Sequence, residues 1–162
     1  MHDRVDIIEA DLERADHQRQ IVALTAAYAL DPMGNGGPLS EETLARLIVG
    51  LKNHPTTLIF LAYLDGEAVA IATCFRGFST FHAKPLINIH DLAVLPAHRG
   101  RGIGRQLLGR VERAARETGC CKVTLEVQEN NATARHLYNE CGFAQALYGK
   151  PPAGALFYSK PL

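Results

Sequence analysis

Arg99-Gly100-Arg101-Gly102-Ile103-Gly104 sets three glycines between an apolar run, Leu92-Ala93-Val94-Leu95, and a stretch whose apolar residues recur at helical spacing. A chain written this way turns abruptly from a strand into a helix, with little side-chain bulk in the turn. Glycine reaches backbone conformations closed to other residues and lets a ligand approach the main chain. The first N–H groups of a helix have no internal partner and carry the positive end of its dipole, so the turn could receive an anion such as a pyrophosphate. The plainer reading is a strand-to-helix turn with exposed arginines. Two nucleotide-binding patterns compete for such a loop and fit poorly. It lacks the Gly-Lys-Ser/Thr ending that holds phosphates and Mg²⁺, and it follows an antiparallel region instead of the first strand of a doubly wound sheet.

Periodicity supplies the elements around the turn. Val5 and Ile7 alternate with charged residues and predict a strand over 4–10. Ile21, Leu24 and Tyr28 predict a helix from Asp16 to about Leu30, broken by Asp31-Pro32 and by Gly34, Gly36 and Gly37, so that 31–39 is expected to be a mobile loop. Ser40 offers an N-cap with Glu41 and Glu42 in the first turn, and Leu44, Leu47, Ile48 and Leu51 form the buried face of a second helix. Two β-prone runs, 56–64 and 67–75, flank Asp65-Gly66 and predict a hairpin. A loop over 77–85 then leads to a strand over 86–95, whose alternation gives way to continuous apolar residues at Leu92, a sign of a bulge there. Ile103, Leu107, Leu108, Val111, Ala114 and Ala115 share one side of the next helix, opposite Arg105, Arg110, Arg113 and Arg116. A strand over 122–127, a short helix capped by Asn130-Asn131 and stopped at Gly142, and strands over 144–148 and 156–160 complete the chain. Strands and helices are mixed, so an α/β (α+β) sheet covered by helices is expected, built as one domain over residues 1–162.

Composition removes several classes of function. Seventeen Lys and Arg balance seventeen Asp and Glu, which gives no global field for nucleic acid or an acidic membrane. Helical spacing spreads Arg105, Arg110, Arg113 and Arg116 over a solvated face, and of the six arginines between Arg99 and Arg116 the three nearest the glycine turn, Arg99, Arg101 and Arg105, are the ones available to any phosphate. The longest nearly apolar run, 58–64, is far short of a membrane span of about 20 residues. The acidic, mixed N-terminal segment is unlike a secretory signal. Cys74, Cys120, Cys121 and Cys141 have neither zinc spacing nor the density of a disulfide scaffold, and read as reduced cytosolic thiols, mostly core filler. The expectation is a soluble, cytoplasmic, metal-free protein.

With the glycine loop in hand, the chain resembles the GNAT superfamily of acetyl-CoA-dependent N-acetyltransferases over nearly its whole length. Arg99, Gly102 and Gly104 stand at the places of the family signature, an Arg or Gln, two residues, Gly, one residue, then Gly or Ala. Asp91-Leu92-Ala93-Val94 precedes it and looks like the family's bulged strand, whose backbone lies along the pantetheine arm. Further on, Leu125-Glu126-Val127, Asn131, Ala134, Leu137-Tyr138 and Cys141-Gly142-Phe143 resemble the second family motif. The resemblance implies a mixed, mostly antiparallel sheet of six or seven strands with about four helices, split at the bulged central strand.

It also implies a reaction: direct acetyl transfer from acetyl-CoA, as co-substrate, to a primary amine of a small molecule or peptide, with no metal and no acyl-enzyme. The cofactor set is then Leu92, Ala93, Val94, Arg99, Gly100, Arg101, Gly102, Ile103, Gly104, Arg105, Asn131 and Tyr138. A primary amine has a pKa near 10 and must lose a proton before attack. Glu126, on the strand where the family's sheet opens, and His90, one step ahead of the expected bulge, are the two candidates for that task, and each can instead be a structural polar residue. Tyr138 is the candidate proton donor to the departing thiolate, against a reading as a core aromatic; Asn131 can bond pantetheine, cap a helix, or both. The acceptor is expected between the loops 31–39 and 78–85, with Asp31 facing a substrate ammonium and Tyr28, Phe75, Phe78, Phe81 and His82 as an aromatic wall, while Tyr28 and Phe75 can equally be core. A rival is a non-catalytic acyl-CoA sensor that keeps the loop without the chemistry. The identity of the amine and a homodimer both stay open.

Overall fold

In the computed structural model, which describes residues 4–162, the first alternating segment forms β1 (Val5–Glu9) and the first helix forms α1 (Ala15–Leu30). The second helix, α2 (Glu41–Asn53), starts where its cap lies: the Ser40 hydroxyl accepts the Thr43 N–H at 3.1 Å. Strands β2 (Thr57–Leu64) and β3 (Glu67–Ser79) form the expected hairpin. Asp65 and Gly66 both have positive φ, 51° and 83°, the backbone twist that matches a two-residue turn to its flanking strands.

The ladder between β3 and β4 (Lys84–Val94) runs farther than the sequence indicated, continuing through Gly77↔Leu86 and Phe78↔Pro85 to Ser79↔Lys84. Most of the expected loop 77–85 is therefore strand. Only residues 80–83 turn, and a Ser79 Oγ to His82 Nδ1 contact at 3.0 Å ties the turn together. A single 3₁₀ turn, Pro96–His98, leads into α3 (Ile103–Glu117), and β5 (Val123–Leu125) then lies parallel to β4. The main sheet is thus β1-β2-β3-β4-β5, antiparallel except for its last pair.

Period-two alternation divides the core between the two faces of this sheet. Ile59 and Leu61 of β2 and Ile71 of β3 pack with Ile21 and Leu24 of α1 and Leu51 of α2. Phe60, between Ile59 and Leu61, points the other way and is fully buried, with the guanidinium of Arg110 on α3 4.6 Å from its ring centroid. Ile103, Leu107, Leu108 and Val111, all at most 1% exposed, form the apolar side of α3 as the spacing predicted. Each such burial is worth about 1.5–3 kcal/mol. Arg110 corrects the sequence reading: it is half-buried over an aromatic face, an attraction an arginine finds readily, and does not belong to the solvated side of the helix.

The described residues form two compact units, one reaching to Gln128 and the other from Glu129 to Leu162. The second contains α4 (Ala132–Glu140) and a separate two-stranded sheet of β6 (Leu147–Tyr148) and β7 (Ala153–Gly154). Five strands plus this hairpin replace the single six- or seven-stranded sheet expected. The segment 156–160 is not a strand, because Leu147↔Gly154 and Tyr148↔Ala153 close the hairpin before it. Among the described residues no helix is long and apolar enough to cross a membrane.

Candidate functional site

The sheet opens at one place. Pairing between β4 and β5 stops at Ile89↔Leu125, whereas β4 continues along β3 to Val94. At the point of separation the register slips: Cys74 pairs with Ile89 and Thr73 with Asp91, so His90 is the extra residue. The bulge therefore sits at His90, earlier than the continuous apolar run at Leu92 suggested. That run arises because an inserted residue resets the alternation.

Beyond the bulge, one edge of β4 has no neighbouring strand. Leu95 N–H donates to Val69 C=O at 2.9 Å, so by alternation the backbone groups of Ala93 face β3 and those of Leu92 and Val94 face the open side. The Val94 carbonyl is already engaged, accepting from Arg99 Nε at 2.9 Å. Leu92 N–H and C=O and Val94 N–H are thus the groups this edge can offer an extended ligand.

The glycine loop follows at once. Gly100 and Gly102 both have φ of 76°, and a Cβ at either position would meet nothing within 4 Å. Their need for glycine is thus conformational as far as the protein itself is concerned, and the space beside them is open. Gly102 is the N-cap of α3 and no side chain caps the helix. Gln106 N–H bonds the Gly102 carbonyl at 3.1 Å, which leaves the N–H groups of Ile103, Gly104 and Arg105 ahead of the helix's own ladder. A cradle without Cβ atoms, three leading N–H groups and a helix dipole suit a pyrophosphate, and the adjoining strand edge suits an arm carrying amides.

On the α1–α2 side of the bulge the structure gathers several of the residues singled out above. His90 is exposed and lies edge-on to Phe75, with ring centroids 5.5 Å apart, and Phe75 in turn meets His54 at 5.0 Å. Asp91, which periodicity does not distinguish from the rest of its strand, joins them. It follows the bulge, is partly buried, and its carboxyl is pushed up mainly by that burial, with His90 acting in the opposite direction. The available signal was an acidic residue interrupting an apolar strand. Burial also raises the Tyr28 phenol, with the negative charges of Asp91 and Asp31 adding to the effect.

The acceptor-side expectations meet a different geometry. Asp31 does not stand alone: its side chain takes the Met33 N–H at 2.8 Å and pairs with Arg99 Nη2 at 2.5 Å, and its pKa is lowered chiefly by Arg99. Arg99, expected among the phosphate ligands, is thus shared between Asp31 and Val94. Phe81 is 91% exposed at the hairpin tip, and His82 is tied to Ser79, so this turn builds no enclosed wall with Tyr28, which reaches Met33 C=O at 3.3 Å. Glu126 lies just past the end of β5 and is exposed; the strand and its pairing with β4 both stop at Leu125.

In the second unit, the Asn131 side chain caps α4, accepting Ala134 N–H at 3.1 Å. The end of α4 explains a motif. Gly142 has φ of 85°, its N–H bonds Asn139 C=O at 3.0 Å, and Phe143 N–H bonds Tyr138 C=O at 2.9 Å. This is the Schellman pattern, and the ring contact that accompanies it is present, with Tyr138 and Phe143 centroids 5.9 Å apart. The Tyr…Gly-Phe spacing therefore fixes the tyrosine ring through the helix stop. Among the described residues no group of three His, Cys, Asp or Glu is placed to hold a metal ion.

Comparison with known proteins agrees with this geometry. The model of the acetyltransferase (GNAT) family matches residues 21–143. Over 105 residues the chain is 43% identical to the streptothricin acetyltransferase of Streptomyces lavendulae, covering 60% of this chain and 53% of that protein. Over 91 residues it is 38% identical to the N-alpha-acetyltransferase MAK3 of Arabidopsis thaliana, covering 55% and 46%. The chain spans about half the length of these curated relatives. Among solved structures, a probable acetyltransferase superposes with a TM-score of 0.79 at 19% identity, over 97% of both chains. An aminoglycoside N-acetyltransferase in complex with CoA superposes with 0.72 at 19%, over 98% and 96%; these two likenesses bear on the fold. The chain belongs to the acetyltransferase (GNAT) family.

Proposed function

We propose that this member of the GNAT family is an acetyl-CoA-dependent N-acetyltransferase that acetylates a primary amine of a small molecule or peptide. The observation that carries the reading is the conjunction of the unpaired β4 edge with the left-handed glycines and the uncapped start of α3. The family match crosses from one compact unit into the other, which supports a single working domain over the chain.

Acetyl-CoA supplies an activated acyl group on a thiol leaving group. The chain's own residues have four tasks. The N–H groups of residues 103–105 and the flanking Arg101 and Arg105 hold the pyrophosphate. The Leu92 and Val94 backbone groups align the amide-bearing arm, and Asn131 is assigned to the same arm. A base or water chain at the bulge takes the ammonium proton: His90 and Glu126 are the assigned candidates, and both being exposed supports transfer through water. The amine nitrogen then attacks the thioester carbonyl, the C–N bond forms, the C–S bond breaks, Tyr138 gives its phenolic proton to the sulfur, and the second proton lost by the nitrogen passes through solvent to restore the phenol.

The test is thiol release from acetyl-CoA across a panel of amines: amino acids, peptide N-termini, polyamines and aminoglycosides. Amine-dependent release with acetylated product is expected. Binding of acetyl-CoA with no turnover on any amine would leave an acyl-CoA sensor and overturn the reading as an enzyme.

A further inference from the structure

Asp31 and Arg99 are far apart in sequence and were expected on opposite sides of the reaction, one toward the amine and one toward the phosphates. The structure joins them. Arg99 Nη2 donates to Asp31 Oδ2 at 2.5 Å while Arg99 Nε donates to the Val94 carbonyl at 2.9 Å, so one guanidinium links the C-terminal end of α1 to the open edge of β4. The planar fork of arginine makes both bonds at once, which a lysine cannot do. Asp31 in turn organises its own loop. Its second carboxylate oxygen takes Met33 N–H at 2.8 Å, and its backbone carbonyl takes Gly34 N–H at 2.8 Å and Gly36 N–H at 3.2 Å.

The loop so built reaches the other diverging strand as well. Met33 C=O accepts from Gln128 Nε2 at 3.0 Å, and Gln128 stands shortly after β5 ends. The loop is closely packed against the helix it leaves, since a Cβ on Gly34 would lie 2.1 Å from the Tyr28 carbonyl oxygen. The residues after α1 therefore bridge the gap where β4 and β5 part, held to β4 through Asp31–Arg99 and to the end of β5 through Met33–Gln128. The Asp31 side chain is only 13% exposed, with two of its acceptor sites occupied, a poor disposition for capturing an ammonium from solvent.

We infer that Asp31 is a positioning residue for the cofactor edge, acting through Arg99, and is not the anchor for the acceptor amine. Arg99 fixes the Val94 carbonyl and so determines which backbone groups of β4 remain for the pantetheine arm; Asp31 fixes Arg99. The inference rests on acetyl-CoA being the co-substrate, and it separates two properties that a substrate-anchoring Asp31 would reverse.

The test is calorimetric binding of acetyl-CoA with no amine present, followed by steady-state kinetics. Asp31→Asn keeps shape and removes the charge; it is expected to weaken acetyl-CoA binding about two- to fivefold, the upper part of the range for losing a partly exposed ion pair. Arg99→Gln is expected to do the same, and the double variant to bind no more weakly than Arg99→Gln, because the two act as one device. Arg99→Lys, which keeps the charge and guards against a folding defect, is expected to lie between parent and Arg99→Gln. Asp31→Glu, which can still reach the guanidinium, is expected to restore most of the affinity, and the amine KM at saturating acetyl-CoA is expected to stay unchanged in Asp31→Asn. Parent-like acetyl-CoA affinity in Asp31→Asn with a raised amine KM overturns the inference and returns Asp31 to the acceptor. Additive losses in the double variant overturn it as well. Failure of the parent itself to bind acetyl-CoA is a separate outcome, which overturns the proposed function and this inference with it.

Discussion

Gly102→Ala gives the sharpest measure of the loop, because its two consequences have different sizes and can be read in one experiment. Without ligand, the added methyl meets nothing within 4 Å, so the change acts only through the backbone: φ of 76° is left-handed and costs an alanine about 1–2 kcal/mol. Restricting the unfolded chain returns about 0.4–1 kcal/mol. The net loss is about 1 kcal/mol, which in a chain of this size lowers Tm by about 2–4 °C. With acetyl-CoA at about 100 times Kd, the parent gains about 2.7 kcal/mol by mass action, a rise of about 5–10 °C. A methyl in the cradle that weakens binding a hundredfold leaves a gain of about 0.4 kcal/mol at the same concentration, a rise of about 1 °C. Scanning fluorimetry with and without acetyl-CoA reads both numbers. Gly102→Asn, which tolerates the left-handed conformation, should recover part of the unliganded Tm and none of the shift. Gly119→Ala, with φ of 70° and equally open surroundings beyond the end of α3, should show the strain cost with the shift intact. A Gly102→Ala protein that keeps the full acetyl-CoA shift would refute the loop as the anion site.

Three further outcomes are expected. Gly50 on α2 and Gly109 on α3 are helix-interior, exposed and free of neighbours at Cβ, so Gly50→Ala and Gly109→Ala should each stabilise by about 0.5–1 kcal/mol in thermal or denaturant unfolding. Cys74 is buried and its thiol is pushed up to about 12 by that burial, so iodoacetamide at pH 8 should leave it unlabelled in the folded protein and modify it only after unfolding, as peptide mapping would reveal. Asp91 has a raised carboxyl pKa in the fold, so the native state holds a proton that the unfolded chain has released. Stability should fall as pH rises from the ordinary carboxylate range, about 4, through the folded value, and Asp91→Asn should flatten that fall in Tm measured against pH.

Much of the fold was legible because local chemistry and burial agree. Ser40 caps the helix it was expected to cap, Asp65-Gly66 makes the hairpin turn, and the apolar side of α3 is the buried side. What was missed came from pairing between distant residues. The β3–β4 ladder extends through 77–85 because Pro85 and Lys84 find partners across the hairpin, although Gly77 and Pro85 read locally as loop. Arg110 was assigned to solvent by its position on the helical wheel, a projection blind to Phe60 on β2 beneath it.

The candidate site divides along the same line. Its proposed anion loop is a contiguous hexapeptide whose glycines state their own backbone requirement, and the Tyr138, Gly142 and Phe143 spacing is likewise one local device, a helix stop with its ring contact. The bulge is not local in this sense. An apolar run at Leu92 records that alternation has been broken somewhere upstream, but only the register against Thr73 and Cys74 assigns the extra residue to His90. From that single slip follow the exposure of His90 toward Phe75, the partial burial of Asp91, and the open edge that leaves Leu92 and Val94 unpaired by a neighbouring strand. Asp31 and Arg99 carry the point further, since each alone reads naturally as a ligand for a charge of opposite sign. Only their proximity makes them ligands for each other, and the loop they hold also meets Gln128, beyond the end of the strand that parts from β4 at the candidate site.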